Sequence, residues 1–300
     1  MLQCSIAMLG LALNACAGNG ARQCVDNSEC ASGLCLADGT CAAAPDGGPG
    51  GDGAPGDGGP SGDGSAASCR PNHDGTITRA EVPFAAGRVA TFRVATDVTV
   101  DTAGTLQQGG AHLWDLVGPY DGDDDVQTTL EPLSGAWFAA DFDGATYTTP
   151  LSATQDLIGV FEITDTALLL RGVVSPNGGP TRTELSYDPP AVLLQLPLTT
   201  TTQWSSTSTV SGVASGVASY YSEKYESRVD ATGDLDTPYG TFPVLRVRTL
   251  LTRTVGAAVV TVRSLQFAAE CYGTVAKVTS NQYESEVDFT SAAELRRLAP

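Results

Sequence analysis

Residues 242–270 read FPVLRVRTLLTRTVGAAVVTVRSLQFAAE. Two runs rich in Val, Leu and Thr, at 242–254 and 258–270, flank the short segment Val255-Gly256-Ala257. Residues of these types favour extended strands, and a glycine between two such runs can adopt the positive φ that a hairpin turn requires. We therefore predict an antiparallel hairpin, followed by a further strand at 272–280.

The apolar pattern changes phase within the second of these strands. Val260 and Val262 share one phase of the two-residue period, whereas Leu265 and Phe267 share the opposite one. Successive side chains of a strand point to opposite faces, so one extra residue must be absorbed between the two pairs. We predict a β-bulge at residues 263–264 that bends the sheet.

Two-residue periodicity continues upstream and is clearest at 88–100, where Phe92 and Val94 share a face opposite to Thr91 and Arg93. The pattern predicts an all-β domain over residues 69–300, built as a large antiparallel sheet. A curved meander, an open barrel and a sandwich all agree with it. Further strands are predicted at 136–142, 156–164, 167–174, 181–187, 191–196, 207–214 and 218–231. A helical pattern at 292–298 predicts a short C-terminal helix.

The chain begins with a targeting pattern. Residues 6–13 form an apolar run of the length found in signal peptides, which predicts a signal segment at 1–15. The next residues, Leu13-Asn14-Ala15-Cys16, resemble the lipobox of bacterial lipoproteins. That resemblance implies acylation of Cys16 and a lipid anchor in a membrane. Cleavage to a secreted protein and retention of the segment as an anchor helix are the alternatives.

Six further cysteines lie beyond Cys16, an even number that suits disulfide pairing outside the cytoplasm. Four of them fall within residues 16–41, a segment too short to build its own apolar core. We predict that they pair among themselves as a small disulfide knot, with a zinc site as the alternative. These four are Cys24, Cys30, Cys35 and Cys41. The remaining two, Cys69 and Cys271, are predicted to form a third disulfide.

The pattern of the knot resembles cysteine-rich modules near the amino termini of bacterial surface lipoproteins. Residues 42–68, which follow it, are almost entirely Gly, Pro, Asp, Ser and Ala. Such a composition offers no apolar surface to offset the entropy of ordering, so we predict a disordered tether between the knot and the β domain. It would separate the β domain from the knot by roughly 30 Å.

A second resemblance concerns shape. Residues 237–247 read TPYGTFPVLRV, which resembles a turn-and-strand element of uncharacterised secreted β proteins. Some of these are related to lipoprotein carriers with a curved, half-open sheet. That relation implies an apolar hollow, which a carrier of apolar ligands would use.

Charge argues against one class of partner. Asp and Glu outnumber Lys and Arg by 34 to 16, which gives a net charge of -18. Such a charge opposes binding to the phosphate backbone, so nucleic acid is excluded as an expected partner.

One loop resembles a calcium site. Asn72, Asp74 and Glu81 match the third, fifth and twelfth positions of an EF-hand loop, and Thr76 would offer its carbonyl oxygen. Arg70 occupies the first position, where the motif has Asp. The alternative is a plain Asp-Gly turn with Glu81 in solvent. The acidic stretch 121–125 is predicted to be a solvated loop.

Motifs for catalysis are few. The chain has two histidines, His73 and His112, and neither the G-x-S-x-G nor the H-E-x-x-H motif occurs. His112 is expected to lie in a strand with a backbone partner. Aromatic residues such as Trp114, Trp137 and Trp204 are expected in the core rather than in a ligand site.

The expected function is therefore that of a non-enzymatic binding or structural lipoprotein displayed at a surface. A carrier of apolar ligands and an exported hydrolase that uses carboxylates are the alternatives. The expected location is the cell envelope, at the outer membrane or the cell surface, with secretion as the alternative. The partner beyond the membrane would be a protein, a glycan or an apolar small molecule.

Overall fold

The computed structural model describes residues 69–300. The strands are β1 (Val89–Thr99), β2 (Thr105–Leu106), β3 (His112–Asp115), β4 (Asp124–Thr129), β5 (Tyr147–Pro150), β6 (Ile158–Ile163), β7 (Ala167–Val174), β8 (Glu184–Gln195), β9 (Gln203–Ala214), β10 (Val217–Asp236), β11 (Thr241–Val255), β12 (Ala258–Ala269), β13 (Gly273–Gln282) and β14 (Ser291–Ala299). Two 3-10 helices lie at Arg79–Glu81 and Ala139–Asp141. Within this part of the chain, no helix has the length and apolar character needed to cross a membrane.

The 14 strands form one sheet, as predicted for an all-β domain. From β5 to β14 each strand pairs antiparallel with the next, and β1 and then β4 follow β14. The two ends of this order meet where Glu131 and Thr148 exchange two backbone hydrogen bonds of 2.8 Å. The antiparallel meander is thereby nearly closed into a barrel. The short strand β3 pairs in parallel with β10 and lies off this path.

The predicted hairpin is present as β11 and β12, which pair from Leu245–Ala268 to Val255–Ala258. The irregularity predicted at 263–264 is also present, because the pairing of β12 with β13 shifts between Val262 and Ser264. The extra residue, however, lies in β13. The pairing of β12 with β11 is uninterrupted, so the prediction of an extra residue within β12 is wrong. The half-buried Val260 and the buried Leu265 lie on opposite faces by simple alternation, which explains the apparent change of phase.

The sheet curves around an apolar inner cluster. Because Tyr147 of β5 and Ala268 of β12 both belong to it, strands far apart in the sheet order must face each other. Ile77 and Val82, which precede β1, pack into the same cluster and help to fill it. Other members are Phe161, Leu170, Leu185, Tyr187, Leu194, Val210, Tyr225, Val229 and Val247.

An outer cluster lies on the opposite face of the sheet. Trp114, which is fully buried, packs edge-on against Phe267 with ring centroids 5.1 Å apart. Its indole nitrogen donates a hydrogen bond of 3.1 Å to the carbonyl of Thr102. Phe289 and Leu116 complete the cover, so this half of the outer face is shielded from solvent.

The predicted C-terminal helix at 292–298 is wrong. The segment forms β14, which pairs with β1 through Ala95–Leu295 and with β13 through Val278–Leu295. Its residues are good helix formers, but two neighbouring strands offer hydrogen bonds on both sides, and tertiary pairing overrides weak local propensity. Leu295 is consequently buried in the outer cluster.

Several predicted features lie outside the described residues. They are the signal segment at 1–15, the lipid-anchor and cysteine-rich segment at 16–41 with Cys16, and the tether at 42–68. The predicted pairing among Cys24, Cys30, Cys35 and Cys41 belongs to the same group.

Candidate functional site

The predicted calcium residues lie in one loop, where most of their oxygens accept hydrogen bonds. The Asn72 side-chain oxygen accepts the Asp74 N–H at 2.9 Å, and the Asp74 carboxylate accepts the Thr76 N–H at 2.8 Å. The Asn72 amide donates to Glu81 Oε1 at 2.9 Å. The loop is thus ordered by its own side chains, and calcium binding stays a prediction.

Glu81 is buried rather than solvated, which corrects the alternative interpretation of this loop. Its side chain caps the 3-10 helix, because Oε2 accepts hydrogen bonds from the Thr78 N–H at 2.8 Å and the Thr78 hydroxyl at 2.7 Å. Its exposed fraction is 8%. Among residues 69–300, no group of three or more His, Cys, Asp or Glu side chains is arranged to hold a metal ion.

The predicted disulfide between Cys69 and Cys271 is present, with Cα atoms 5.5 Å apart. It fastens the loop to the turn after β12. Next to it, Glu270 Oε2 accepts the backbone N–H groups of Asn72 at 2.7 Å and His73 at 2.9 Å. The Cys271 N–H in turn donates to the carbonyl of Glu81 at 2.7 Å. The disulfide and these hydrogen bonds together hold the loop against the turn after β12.

A groove of about 350 Å³ lies between this loop and the ends of the central strands. Its lining is mostly apolar and includes Ile77, Phe242 and Tyr272. Asp234 and Glu270 are its carboxylates. Burial, followed by the charge of Asp236, raises the pKa of Asp234 above its usual range.

A second, more polar groove of about 550 Å³ lies on the outer face of β10, β11 and β12, and we name it the arginine groove. Along β10, Tyr225 and Val229 point into the inner cluster, so Glu226 and Arg228 point outward. Lining residues of the groove include Arg228, Arg248, Arg263, Leu250, Leu265 and Val287.

Buried ion pairs border this groove. The guanidinium of Arg246 binds Asp230 through two hydrogen bonds of 2.9 and 3.1 Å and Asp288 through one of 2.8 Å. The Arg248 Nε lies 3.8 Å from the same Asp230. Burial, followed by the charge of Arg228, lowers the pKa of Arg248 below its usual value.

Sequence reasoning missed the arginine groove, because its residues are far apart in the chain. Arg228 lies directly opposite Arg248 in the pairing of β10 with β11, and Arg263 is opposite Leu250 in the pairing of β11 with β12. Recurrent arginines in adjacent predicted strands were the available signal. Only the register of those strands shows that the arginines share one surface.

A buried carboxylate inside the barrel was also missed. The side chain of Glu223 is fully buried and accepts hydrogen bonds from Arg253 Nε at 2.7 Å and the Tyr225 hydroxyl at 2.6 Å. Arg253 lies across the strand pair from Glu223, and 45% of its side chain is exposed. This charge pair links the inner cluster to the barrel surface.

The acidic stretch 121–125 is more than a solvated loop. Asp125 forms two hydrogen bonds with Arg93, of 2.8 and 3.1 Å, and Asp123 pairs with the fully buried Arg297 at 2.6 Å. The Asp123 carboxylate also accepts the Tyr120 N–H at 2.9 Å. Two carboxylates of the stretch thus neutralise cations of β1 and β14.

The expectations for His112 and Trp114 agree with the structure, whereas Trp204 is partly buried and also lines the arginine groove. His112 lies in β3, and its Nδ1 is 3.0 Å from the carbonyl oxygen of Ala103. Trp114 belongs to the outer cluster, and Trp204 packs against the inner cluster. Trp137 packs with Phe138 in a third cluster that covers the outer side of β6 and β7.

Comparisons with known proteins give little guidance. No protein family matches the chain, and no match was found among curated proteins. The chain is similar to a crystal structure of a Parabacteroides distasonis ATCC 8503 protein that carries a provisional lipoprotein description. The TM-score is 0.32 and the identity 10%, over 72% of this chain and 96% of that one. A likeness at this level establishes neither a shared fold nor a shared function.

Proposed function

We propose that this protein is an exported lipoprotein with a non-enzymatic binding or structural role, held in an envelope membrane by acyl groups on Cys16. The observation that carries the proposal is the Cys69–Cys271 disulfide. Structural disulfides persist in oxidising compartments outside the bacterial cytoplasm. The bridge therefore supports export, in agreement with the signal pattern at 1–15.

The position of the bridge supports display at the end of a tether. Cys69 directly follows the Gly/Pro/Asp segment at 42–68, and its partner lies in the turn between β12 and β13. A force applied along the tether would therefore act first on Cys69, which is covalently bonded to Cys271. Such an attachment suits a rigid domain that stands clear of the surface to which it is anchored.

The packing of the barrel favours this role over that of a carrier. A carrier needs a deep apolar hollow, yet the inner cluster fills the barrel with side chains from β5 to β12 and with Ile77 and Val82. The arginine groove is polar and lies on the outer face. An apolar ligand would gain little burial there.

The hydrolase alternative finds less support in the placement of the carboxylates. Glu270 lines the smaller groove with Asp234, but it is occupied in holding the backbone of Asn72 and His73. Glu226, in the arginine groove, pairs with Lys224 at 2.8 Å. A hydrolase of the glycosidase type, which uses carboxylates, needs two carboxyl groups that are free to flank the bond to be cleaved.

The anchor is tested by replacing Cys16 with Ser in the expressing bacterium. We expect the wild-type protein in the membrane fraction, labelled by radioactive palmitate, and Cys16→Ser in an unlabelled form that leaves the membrane on washing. Cys4→Ser is the matched control, since Cys4 lies within the predicted signal segment and should change neither result. Membrane association and labelling that persist in Cys16→Ser would overturn the proposal.

Surface display is tested on intact cells. We expect added protease to remove the β domain without lysis, while a periplasmic marker enzyme survives. Protection of the domain until the outer membrane is opened would place it inside the envelope and contradict display. Recovery of the wild-type protein from the culture medium without lipid would assign it to the secreted class.

A further inference from the structure

The arginine groove brings three guanidinium groups together from three adjacent strands. Arg228 of β10 and Arg248 of β11 are direct cross-strand partners, which places their Cβ atoms about 5 Å apart. Arg263 of β12 is opposite Leu250, the next residue of β11 on the same face as Arg248. Diagonal neighbours of this kind are within reach of long side chains.

The nearby carboxylates leave these cations without full neutralisation. Asp230 and Asp288 are bound by Arg246, and Asp230 reaches Arg248 only at 3.8 Å. Glu226, the carboxylate of the groove, pairs with Lys224. Within the described residues, the guanidinium of Arg228 has neither a hydrogen bond nor an ion pair with a side chain.

The close placement of these three arginines lowers the stability of the folded domain, although the domain has enough acidic residues to neutralise them. Like charges directly opposite each other destabilise a strand pair, and partial burial of Arg248 removes water that would screen them. Its side chain is 28% exposed. Acidic residues outnumber basic ones by 34 to 16 in the chain. Among the residues that the structure describes, however, Glu226 is the one carboxylate that lines the groove, and it pairs with Lys224. Such a local excess of positive charge is relieved when an anion enters.

We propose that the arginine groove binds a phosphate group, either free or as a phosphomonoester, through Arg228, Arg248 and Arg263. A guanidinium group can donate two parallel hydrogen bonds to phosphate oxygens. A tetrahedral phosphate dianion has enough acceptor oxygens to bind three guanidinium groups at once. Arg263 is positioned by the hydrogen bond of 3.0 Å from its Nε to the Glu284 carbonyl. Arg228, without such a restraint, can close on the ligand.

The size and lining of the groove favour a phosphate ester over the free ion. A volume of about 550 Å³ exceeds the space that one phosphate group fills. Leu250 and Val287 line the remainder and would contact the organic part of the ligand. This inference goes beyond the proposed anchor and display, and it does not depend on acylation of Cys16.

Binding is tested by calorimetry on the full chain in detergent, with glycerol 3-phosphate and inorganic phosphate as ligands. We expect both to bind and to raise the melting temperature above that in chloride of equal ionic strength. Arg248→Gln should weaken binding about tenfold or more, because a charge-assisted hydrogen bond is lost. Arg93→Gln is the matched control, since Arg93 pairs with Asp125 outside the groove, and it should bind as the wild type does.

A second measurement separates binding from folding. Arg228→Gln removes a like charge from the strand pair, so without phosphate its melting temperature should equal or exceed that of the wild type while its affinity falls about tenfold. Vesicles with and without phosphatidic acid decide whether a lipid carries the phosphate group. The proposal is overturned if neither soluble phosphate nor these vesicles bind, or if Arg93→Gln weakens binding as much as Arg248→Gln.

Discussion

The Cα atoms of Cys69 and Cys271 lie 5.5 Å apart across a sequence separation of 202 residues. The disulfide between them ties the first described residue to the turn after β12, and thereby closes a loop that contains most of the sheet. Cross-linking so distant a pair removes many conformations of the unfolded chain. The bridge should therefore contribute strongly to the stability of the β domain.

Replacing both cysteines, Cys69→Ser with Cys271→Ser, should lower the free energy of unfolding by up to about 5 kcal/mol, the limit of the chain-entropy relation for a loop of this length. Urea denaturation followed by tryptophan fluorescence measures the difference. The double variant is preferable to a reducing agent, which would also act on the other cysteines. A loss below about 1 kcal/mol would contradict a major stabilising role.

The Glu223–Arg253 pair should respond unequally to loss of its two members. Arg253→Met leaves a fully buried carboxylate without its cation, which we expect to cost about 3 to 5 kcal/mol. Glu223→Gln should cost less, because water can reach the 45% of Arg253 that is exposed. Lys224→Met is the control: its pair with Glu226 is half-exposed on both sides and should contribute at most about 1 kcal/mol. Equal losses in all three variants would refute this role of Glu223.

Alkaline pH should destabilise the domain through its buried tyrosines. Burial raises the pKa of Tyr272 to about 12 and moves the pKa values of Tyr147, Tyr187 and Tyr225 upward as well. Above the usual value of 10.0, the unfolded chain therefore loses these protons before the folded one does, and stability falls as pH rises. Below about pH 10 the buried tyrosines make their full contribution to the free energy of unfolding.

Each such tyrosine should add up to about 1.4 kcal/mol of lost stability per pH unit in this window. The measurement is the free energy of unfolding in urea between about pH 10 and 12. Tyr272→Phe removes one titrating group and should flatten the slope accordingly. A slope that is identical in wild type and Tyr272→Phe would exclude a contribution from this tyrosine.

The calcium prediction at Asn72, Asp74, Thr76 and Glu81 has a direct test. If calcium binds the folded loop, it should raise the melting temperature by mass action, and Asp74→Ala should abolish the rise. Asp121→Ala, in the other acidic stretch, is the control and should leave the rise intact. An unchanged melting temperature on addition of calcium to the wild type would leave the loop as the hydrogen-bonded turn described above.

The hairpin of β11 and β12 was predictable because its signals are local. Strand-forming runs flank Gly256, and the turn needs only residues that are adjacent in sequence. The extended conformation of residues 292–298 could not be predicted in this way. Glu294, Leu295 and Arg296 favour a helix locally, but pairing with β1 and β13 holds them extended. The conformation of this segment depends on partners far along the chain.

Among the site residues, too, some features could be predicted from the sequence and others depend on contacts that the sequence does not reveal. The disulfide could be inferred by counting cysteines, without any knowledge of geometry. The environment of Glu81 could not, because a capping side chain and a calcium ligand require the same residue type at the same spacing. The arginine groove depends on the pairing of Arg228 with Arg248, which only the strand register reveals.

The contact between Glu131 and Thr148 bears on how copies of this protein behave when they are crowded. An open sheet presents unpaired backbone groups at its edges, to which a strand of a neighbouring molecule can add. Here the strands at the two ends of the main order, β4 and β5, are short, as is the two-residue strand β2 outside that order. The bridge occupies part of the backbone that β4 and β5 would otherwise expose. Asp124 and Pro150 lie at their ends, and charge and proline both discourage further pairing. A dense population of such domains should therefore stay monomeric and resist fibre formation.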